Sequence, residues 1–106
     1  MSASQRLSTS ATTTADGTIL ALVGSLDIAT ADQFETAVAE QVRPDGVIVL
    51  DAAGLLICDS TGLGAIVRAH RRAVATGSHL VVRSPRPYIA DLLAMTGVDK
   101  VIEVRR

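Results

Sequence analysis

Two adjacent hydroxyl side chains, Ser60 and Thr61, lie in the segment DSTGLG at residues 59–64, where an amphipathic helix is predicted to begin. Backbone N–H groups in the first turn of a helix have no intrahelical acceptor, so a phosphate attached there could accept hydrogen bonds from them and would lie favourably in the helix dipole. The two glycines leave bare backbone that another protein could approach closely. These features are typical of a site at which phosphorylation controls partner binding.

An ordinary capping role explains part of the same pattern. Asp and Ser are preferred at helix N-caps, so either Asp59 or Ser60 could cap this helix, and glycines are common in loops. Capping alone does not require two glycines near a helix start, where each costs up to roughly 1 kcal/mol relative to alanine. On these residues alone both interpretations stay open.

Catalytic and metal sites are not indicated elsewhere. Cys58 has no neighbouring histidine or basic pair that would lower its pKa, which favours a small buried residue. His70 and His79 form no ligand cluster with acidic residues at metal spacing, and we predict that both are structural. A helix between Ser60 and His70 would hold them about 15 Å apart, too far for a Ser–His–Asp triad with Asp51. We therefore predict a protein that is not an enzyme and has no metal or cofactor.

The elements that must position Ser60 alternate between strands and helices. The first two strands are expected to pair across the turn at residues 15–17, and the unbroken apolar run at residues 47–50 predicts a central strand buried on both faces. Residues 24–27 are expected to form a loop, and residues 51–58 an irregular approach to the second helix. The predicted strands are residues 7–13, 18–23, 47–50, 79–82 and 101–104, and the helices begin at Thr30, at Asp59 or Ser60, and at Ser84-Pro85.

The apolar positions and end signals give further detail for each helix. Gln33 is expected to complete a capping box with Thr30, and Pro44 to end the first helix. Gly77 is expected just past the end of the second helix, and Gly97 past the end of the third. The inward stripe of the second helix is predicted to contain Leu63, Ile66, Val67, His70 and Val74.

Size and composition agree with one α/β domain, which we predict to span residues 1–106, with residues 1 to about 6 frayed. The chain has 106 residues, of which 48% are hydrophobic and only 2% aromatic, so the core must consist of Ala, Val, Leu and Ile. Such a composition suits a mostly parallel central sheet covered by helices.

The same composition argues against several classes of partner. A formal net charge of -1 gives no electrostatic reason to expect nucleic acid or an anionic membrane, and the isolated rings of Phe34 and Tyr88 make no stacking platform for bases. One cysteine excludes an internal disulfide. The longest strictly apolar run, residues 19–23, is too short to span a bilayer, and the polar N-terminus has no secretory signal, which predicts a cytoplasmic protein.

Four segments, in this order along the chain, resemble a STAS domain, and within that family the anti-sigma factor antagonists. They are GSLD at residues 24–27, VLD at 49–51, DSTGLG at 59–64 and MTGV at 95–98. The resemblance implies that the dephosphorylated protein binds an anti-sigma factor that is also a serine kinase, which frees a sigma factor. It further implies that the kinase uses ATP to phosphorylate the antagonist, and that a separate serine phosphatase restores it.

The resemblance also implies roles for particular residues. The phosphoacceptor would be Ser60, the first hydroxyl after the aspartate, and Asp27 matches the loop aspartate near the site. Asp59, Thr61 and Gly62 would support the site. Gly64, Arg68 and Arg71 follow Ser60 off the apolar stripe of the helix, and we predict that they contact the partner, although an ordinary solvated basic face is an equally open interpretation.

Relatives usually continue into a further C-terminal helix, whereas this sequence stops at Arg106, directly after the last predicted strand. That departure leaves open how part of the sheet is covered. A different functional hypothesis is a STAS domain that acts as a constitutive scaffold or senses a small ligand, with Ser60 never phosphorylated.

Overall fold

The computed structural model describes residues 6–106, so all of the predicted frayed start except Arg6 lies outside the described residues. The chain forms a five-stranded sheet and three α-helices. In chain order the elements are β1 (Ser8–Thr13), β2 (Gly17–Leu26), α1 (Ala31–Ala39), β3 (Val47–Cys58), α2 (Ser60–Ala75), β4 (His79–Arg83), α3 (Pro87–Met95), a 3-10 turn (Val98–Lys100) and β5 (Glu103–Arg105).

The spatial order of the strands is the same as their order along the chain. β1 and β2 form the predicted antiparallel hairpin, while β2 to β5 are parallel to one another. Each parallel connection contains a helix, and the connection between β4 and β5 also contains the 3-10 turn. Phe34 of α1, Leu63 of α2 and Ile89 of α3 all belong to one apolar core, in which they meet Leu20 and Leu50 of the sheet. The predicted α/β domain with a mostly parallel sheet is confirmed.

The central strand β3 is buried on one face and half-buried on the other. Ile48 and Leu50 are each 1% exposed, whereas Val47 and Val49 are only half-buried. The strand at residues 47–50 is third of five, so its predicted central position is confirmed. The prediction that it is buried on both faces is wrong, because all three helices contribute to a core on the same side of the sheet.

β2 and β3 extend further than the sequence indicated. Residues 24–26 are strand rather than loop, and residues 51–58 are strand rather than irregular, because β2 and β3 pair with each other as far as Leu26 and Cys58. Two register shifts interrupt the pairing. Gly24 has a φ of +113°, and a Cβ there would lie 1.9 Å from the carbonyl oxygen of Arg6, so only glycine fits.

The helix boundaries are confirmed in part. Thr30 precedes α1 as predicted, but its hydroxyl donates to the carbonyl of Ser25 and the Gln33 amide donates to the carbonyl of Leu7, so no capping box forms. α1 ends at Ala39, well before Pro44.

In the remaining segments, Gly77 and Gly97 follow the second and third helices as expected, and the strand at residues 79–82 is confirmed as β4. α3 begins two residues after Pro85, at Pro87. Val74 is exposed, because Ala69 and Ala73 provide the inner face of α2. β5 starts later than predicted, since the 3-10 turn occupies residues 98–100. No helix in the described part of the chain is long and apolar enough to cross a bilayer.

Candidate functional site

The predicted phosphoacceptor lies where β2 and β3 end side by side. Leu26 and Cys58, the last residues of these parallel strands, are register partners. Beyond them the chain enters the Asp27 loop on one side and the first turn of α2 on the other. The backbone N–H of Asp59 donates to the carbonyl oxygen of Leu26 at 3.4 Å. Asp27 and Ser60 therefore follow the same end of the sheet, where the family resemblance places the loop aspartate near the predicted phosphoacceptor.

Asp59 caps α2, and Ser60 is the first helical residue. The Asp59 carboxylate accepts from the Gly62 backbone N–H at 2.9 Å, and its carbonyl accepts from the Leu63 N–H at 2.9 Å. Of the two capping candidates, Asp59 is thus the one used. The side chain of Ser60 is exposed, and its hydroxyl makes no hydrogen bond within residues 6–106. Thr61 is half-buried beside it.

The two glycines of the segment have different surroundings. Gly62 is buried, and a Cβ built on it would lie 2.3 Å from the carbonyl oxygen of Leu26, so the missing side chain lets α2 start against β2. The expectation that bare backbone faces a partner is not met at this position. Gly64 is half-buried, and its Cβ would lie 3.1 Å from a guanidinium nitrogen of Arg68, which is the movable end of a long side chain.

Asp27 orders its own loop. Its carboxylate accepts from the backbone N–H of Ala29 at 2.9 Å and from the hydroxyl of Thr30 at 3.4 Å. The backbone N–H of Asp27 in turn donates to that hydroxyl at 3.1 Å. Asp27 is half-buried and makes no hydrogen bond to Ser60 in the described chain. Its hydrogen bonds therefore shape the neighbouring loop and do not involve the predicted phosphoacceptor within residues 6–106.

On the predicted basic face of α2, some arginines form ion pairs with α1 and another does not within the described residues. Arg68 and Arg72 form ion pairs with Glu35 of α1, at 3.1 and 3.7 Å, and the Glu35 side chain is only 9% exposed. Arg68 donates from both Nε and Nη2 to this carboxylate. Arg71 is exposed, and no ion pair involves it within residues 6–106. The Arg68 guanidinium therefore forms an ion pair that joins α2 to α1.

Tyr88 is a site neighbour that the sequence did not reveal. Its hydroxyl accepts from the backbone N–H of Cys58 at 2.8 Å, two residues before Ser60. Tyr88 lies in the first turn of α3 and its side chain is half-exposed. No local pattern connects a tyrosine with a backbone group 30 positions earlier, because the contact depends on where the preceding strand ends.

Three exposed or half-exposed apolar side chains lie near the ends of β2 and β3. Ile28 is 81% exposed directly after Asp27, Ile57 is 42% exposed three residues before Ser60, and Tyr88 lies beside Cys58. Because Leu26 and Cys58 are paired, Ile28 and Ser60 follow neighbouring strand ends. Exposed apolar side chains and the acidic side chains of Asp27 and Asp59 therefore share the strand ends at which the predicted phosphoacceptor lies.

Cys58 and His70, two further titratable residues considered in the sequence analysis, lie in surroundings that favour a structural role. Burial, and next the charge of Asp59, raise the pKa of the Cys58 thiol to about 11, which makes it a poor nucleophile at neutral pH. Burial, followed by the proximity of His79, lowers the pKa of His70, whose Nδ1 accepts from the Leu80 N–H at 3.5 Å. In the described residues no three His, Cys, Asp or Glu side chains are grouped as a metal site would require.

The family model that describes the STAS domain matches residues 8–106. Among solved structures, the chain is similar to an anti-sigma factor antagonist from Mycobacterium paratuberculosis, with a TM-score of 0.77 and 22% identity over 99% of this chain and 90% of that one. It is also similar to the anti-sigma factor antagonist SpoIIAA in its unphosphorylated form, with a TM-score of 0.70 and 17% identity over 93% and 89%.

The phosphorylated form of the Bacillus cell fate determinant SpoIIAA matches with a TM-score of 0.68 and 17% identity over 93% of this chain and 92% of that one. At these identities the structural likeness shows the fold alone.

Proposed function

Because this chain belongs to the STAS domain family, we propose that it is an anti-sigma factor antagonist controlled by phosphorylation of Ser60. In this proposal the unphosphorylated protein binds an anti-sigma factor that is also a serine kinase, and a sigma factor is released. Phosphorylation of Ser60 blocks the binding, and a serine phosphatase reverses it. The role is regulatory rather than catalytic, needs no cofactor and belongs to the cytoplasm.

The observation that carries this proposal is the exposed Ser60 hydroxyl beside a helix cap that Asp59 already supplies. Since the hydroxyl is not used in capping, its modification removes no hydrogen bond within residues 6–106. A phosphate on it would lie at the N-terminus of a 16-residue helix, where the dipole favours a negative charge. The site can therefore accept a phosphate without unfolding.

The free energies favour a switch that blocks an interface rather than one that refolds the domain. A phosphate at a helix N-terminus should contribute about 1–2 kcal/mol within the domain, and that contribution is stabilising. Changing a partner from mostly bound to mostly free needs roughly 5.5 kcal/mol. Desolvating a group with a charge near -2 inside an interface can reach that size, particularly beside Asp59.

The apolar surroundings of Ser60 support this account. Ile28 and Ile57 are exposed beside the site, and a partner that covered them would exclude water from the serine as well. In such a contact a neutral hydroxyl is tolerated, whereas a phosphate loses its hydration without gaining a counter-charge.

Intact-mass measurement after incubation with the cognate kinase and ATP tests the proposal directly. We expect the wild-type protein to gain the mass of one phosphate group and Ser60→Ala to gain none. The kinase would be identified by co-purification with the unmodified protein, and the phosphorylated protein should no longer retain it. A wild-type chain that stays unmodified while it continues to bind its partner would instead support a constitutive STAS scaffold.

A further inference from the structure

The far end of β3 lacks a neighbouring strand on one side. β4 pairs only with Val47–Asp51, whereas β3 continues for seven more residues to Cys58. On the other side, β2 accompanies β3 to its last residue. Within residues 6–106, no strand therefore pairs with residues 52–58 on the side of β4, and backbone N–H groups that point there need other acceptors.

α3 supplies such an acceptor at the position closest to the phosphoacceptor. The Cys58 backbone N–H donates to the Tyr88 hydroxyl at 2.8 Å, which is a short and favourable distance for a bond of this kind. Tyr88 is the second residue of α3, directly after Pro87, whose ring restricts the backbone at the helix start. The accepting hydroxyl of Tyr88 is thus carried by the first turn of α3, whose backbone is restricted by Pro87.

The turn that carries Ser60 is consequently held from two sides. On the β2 side, the carbonyl oxygen of Leu26 accepts from the Asp59 N–H, and the buried Gly62 packs against the same carbonyl. On the α3 side, the Tyr88 hydroxyl holds Cys58. In the described chain, Tyr88 is the only side chain from another element that hydrogen-bonds residues 57–62.

We propose that Tyr88 is a positioning residue for the Ser60 turn: its hydroxyl fixes the end of β3 from which Ser60 projects, and so links α3 to the phosphoacceptor. The consequence for phosphorylation rests on the function proposed above. The link between α3 and the turn does not, because it depends only on the hydrogen bond to Cys58. The two parts can therefore be tested separately.

Amide hydrogen exchange, measured by NMR on the full chain, tests the link without any partner. Tyr88→Phe removes the hydroxyl and keeps the ring. We expect the Cys58 amide to exchange about five- to tenfold faster, as loss of one hydrogen bond of ordinary net strength predicts, and the Gly62 amide to follow it. The amide of Ile48 near the start of β3 should not change, which distinguishes a local release from a general loss of stability.

Ser78→Ala is a matched control. The Ser78 hydroxyl donates to the carbonyl of Gly46 at 2.7 Å, so this variant also loses one hydroxyl–backbone bond, but at the opposite end of the sheet. It should leave exchange at Cys58 and Gly62 unchanged. If Cys58 is unprotected in the wild-type protein, or exchanges equally fast in wild type and Tyr88→Phe, the inference is overturned. The wild-type measurement decides this even if Tyr88→Phe does not fold.

The role in phosphorylation is tested with a kinase that modifies the wild-type chain. We expect kcat/KM for Ser60 to fall about fivefold in Tyr88→Phe and to stay unchanged in Ser78→Ala. Equal values for wild type and Tyr88→Phe would refute the positioning role even where exchange at Cys58 rises. A wild-type chain that no kinase modifies would count against the proposed function, and the exchange result would still decide whether Tyr88 holds the turn.

Discussion

Asp59 and Ser60 have separate roles at the start of α2: Asp59 caps the helix, and Ser60 carries the exposed hydroxyl. One N-cap residue often has both roles. The Asp59 carboxylate accepts from the Gly62 N–H, while Ser60 is exposed at the first helical position. A modification of Ser60 therefore leaves the cap in place. The half-buried Thr61 lies one position further into the helix and is less accessible to a kinase.

Substitutions of Ser60 should change binding without changing stability. We expect Ser60→Ala to bind the anti-sigma partner constitutively and Ser60→Asp to bind it weakly, although one planar carboxylate imitates a phosphate imperfectly. Both should melt within about 2–4 °C of wild type, because Asp59 rather than Ser60 caps the helix and an exposed substitution outside the cap changes stability by less than about 0.5 kcal/mol. Calorimetric titration and thermal unfolding would measure the two effects.

Asp59→Ala provides the comparison for stability. It removes the hydrogen bond to Gly62 and should cost about 0.5–2 kcal/mol, more than Ser60→Ala does. Phosphate found on Thr61 in the wild-type chain, or equally tight binding by Ser60→Asp and Ser60→Ala, would contradict the assignment of Ser60.

His70 should make stability depend on pH. Burial, and next His79, lower its pKa in the folded protein, so the unfolded chain binds more protons. The stabilisation is complete above the unfolded pKa of about 6.5 and is lost as pH falls through the lower folded value. Denaturant unfolding at pH 7.5 and 5.5 would measure it. His70→Gln, which cannot titrate, should show a smaller difference between the two pH values, and an equal difference would contradict this role.

At the level of elements, the spacing of apolar residues predicted the amphipathic helix α2 but missed the strand segments that have no such spacing. α2 was predictable because its apolar residues recur at helical spacing and Gly77 follows its end. The far halves of β2 and β3 were not, because Gly24, Ser25 and Gly54 resemble loop residues. Their strand character comes from pairing with each other, which is a tertiary interaction that no local pattern encodes.

The same limit applies to the site. Asp59 and Ser60 lie within one segment, so the sequence was enough to predict a helix start with two cap candidates, and the structure shows that Asp59 is the cap. The role of Ser60 as phosphoacceptor comes from the family resemblance and stays a prediction. Tyr88 reaches Cys58 only because β4 ends early, and Gly62 is bare because α2 starts against Leu26. Both contacts join elements that are distant in sequence and become visible only in the folded chain.

The two glycines of α2 should respond differently to alanine. Gly62→Ala places a Cβ against the Leu26 carbonyl and should cost about 1–3 kcal/mol, as overpacking usually does. Gly64→Ala needs only a small movement of Arg68 and should be neutral or stabilising by up to about 1 kcal/mol through helix propensity. Thermal unfolding of the pair measures the difference, and equal melting temperatures would show that Gly62 does not pack as described.

The basic face of α2 is best tested at Arg71. Arg68→Glu would place a second carboxylate beside the buried Glu35, so weaker binding by that variant could reflect loss of stability. Arg71→Glu changes an exposed charge and should keep stability within roughly 0.5 kcal/mol. If this face contacts the partner, we expect roughly three- to tenfold weaker binding with slower association, measured by surface plasmon resonance. Unchanged affinity would indicate a solvated face.

On the scale of the whole molecule, the main core lies on one side of the sheet, and Val81 of β4, the register partner of Val49, is fully buried on the other side. Val82 of β4 belongs to this core and is 2% exposed, whereas Val49 of β3 points away from it and is half-buried. We expect Val82→Ala to cost about 1.6 kcal/mol for the two lost methyl groups, plus a cavity contribution, and Val49→Ala clearly less. Urea unfolding compares the two, and equal losses would mean that both sides of the sheet contribute alike.

The strand order β1-β2-β3-β4-β5 has a kinetic consequence. Among the described strands, each pairs only with its neighbours along the chain, so every ladder forms across a single connection and none joins strands that are distant in sequence. The search for native pairing is therefore short for a parallel sheet, which favours rapid folding. During synthesis the sheet can grow from its N-terminal hairpin, adding one strand as each helical connection leaves the ribosome.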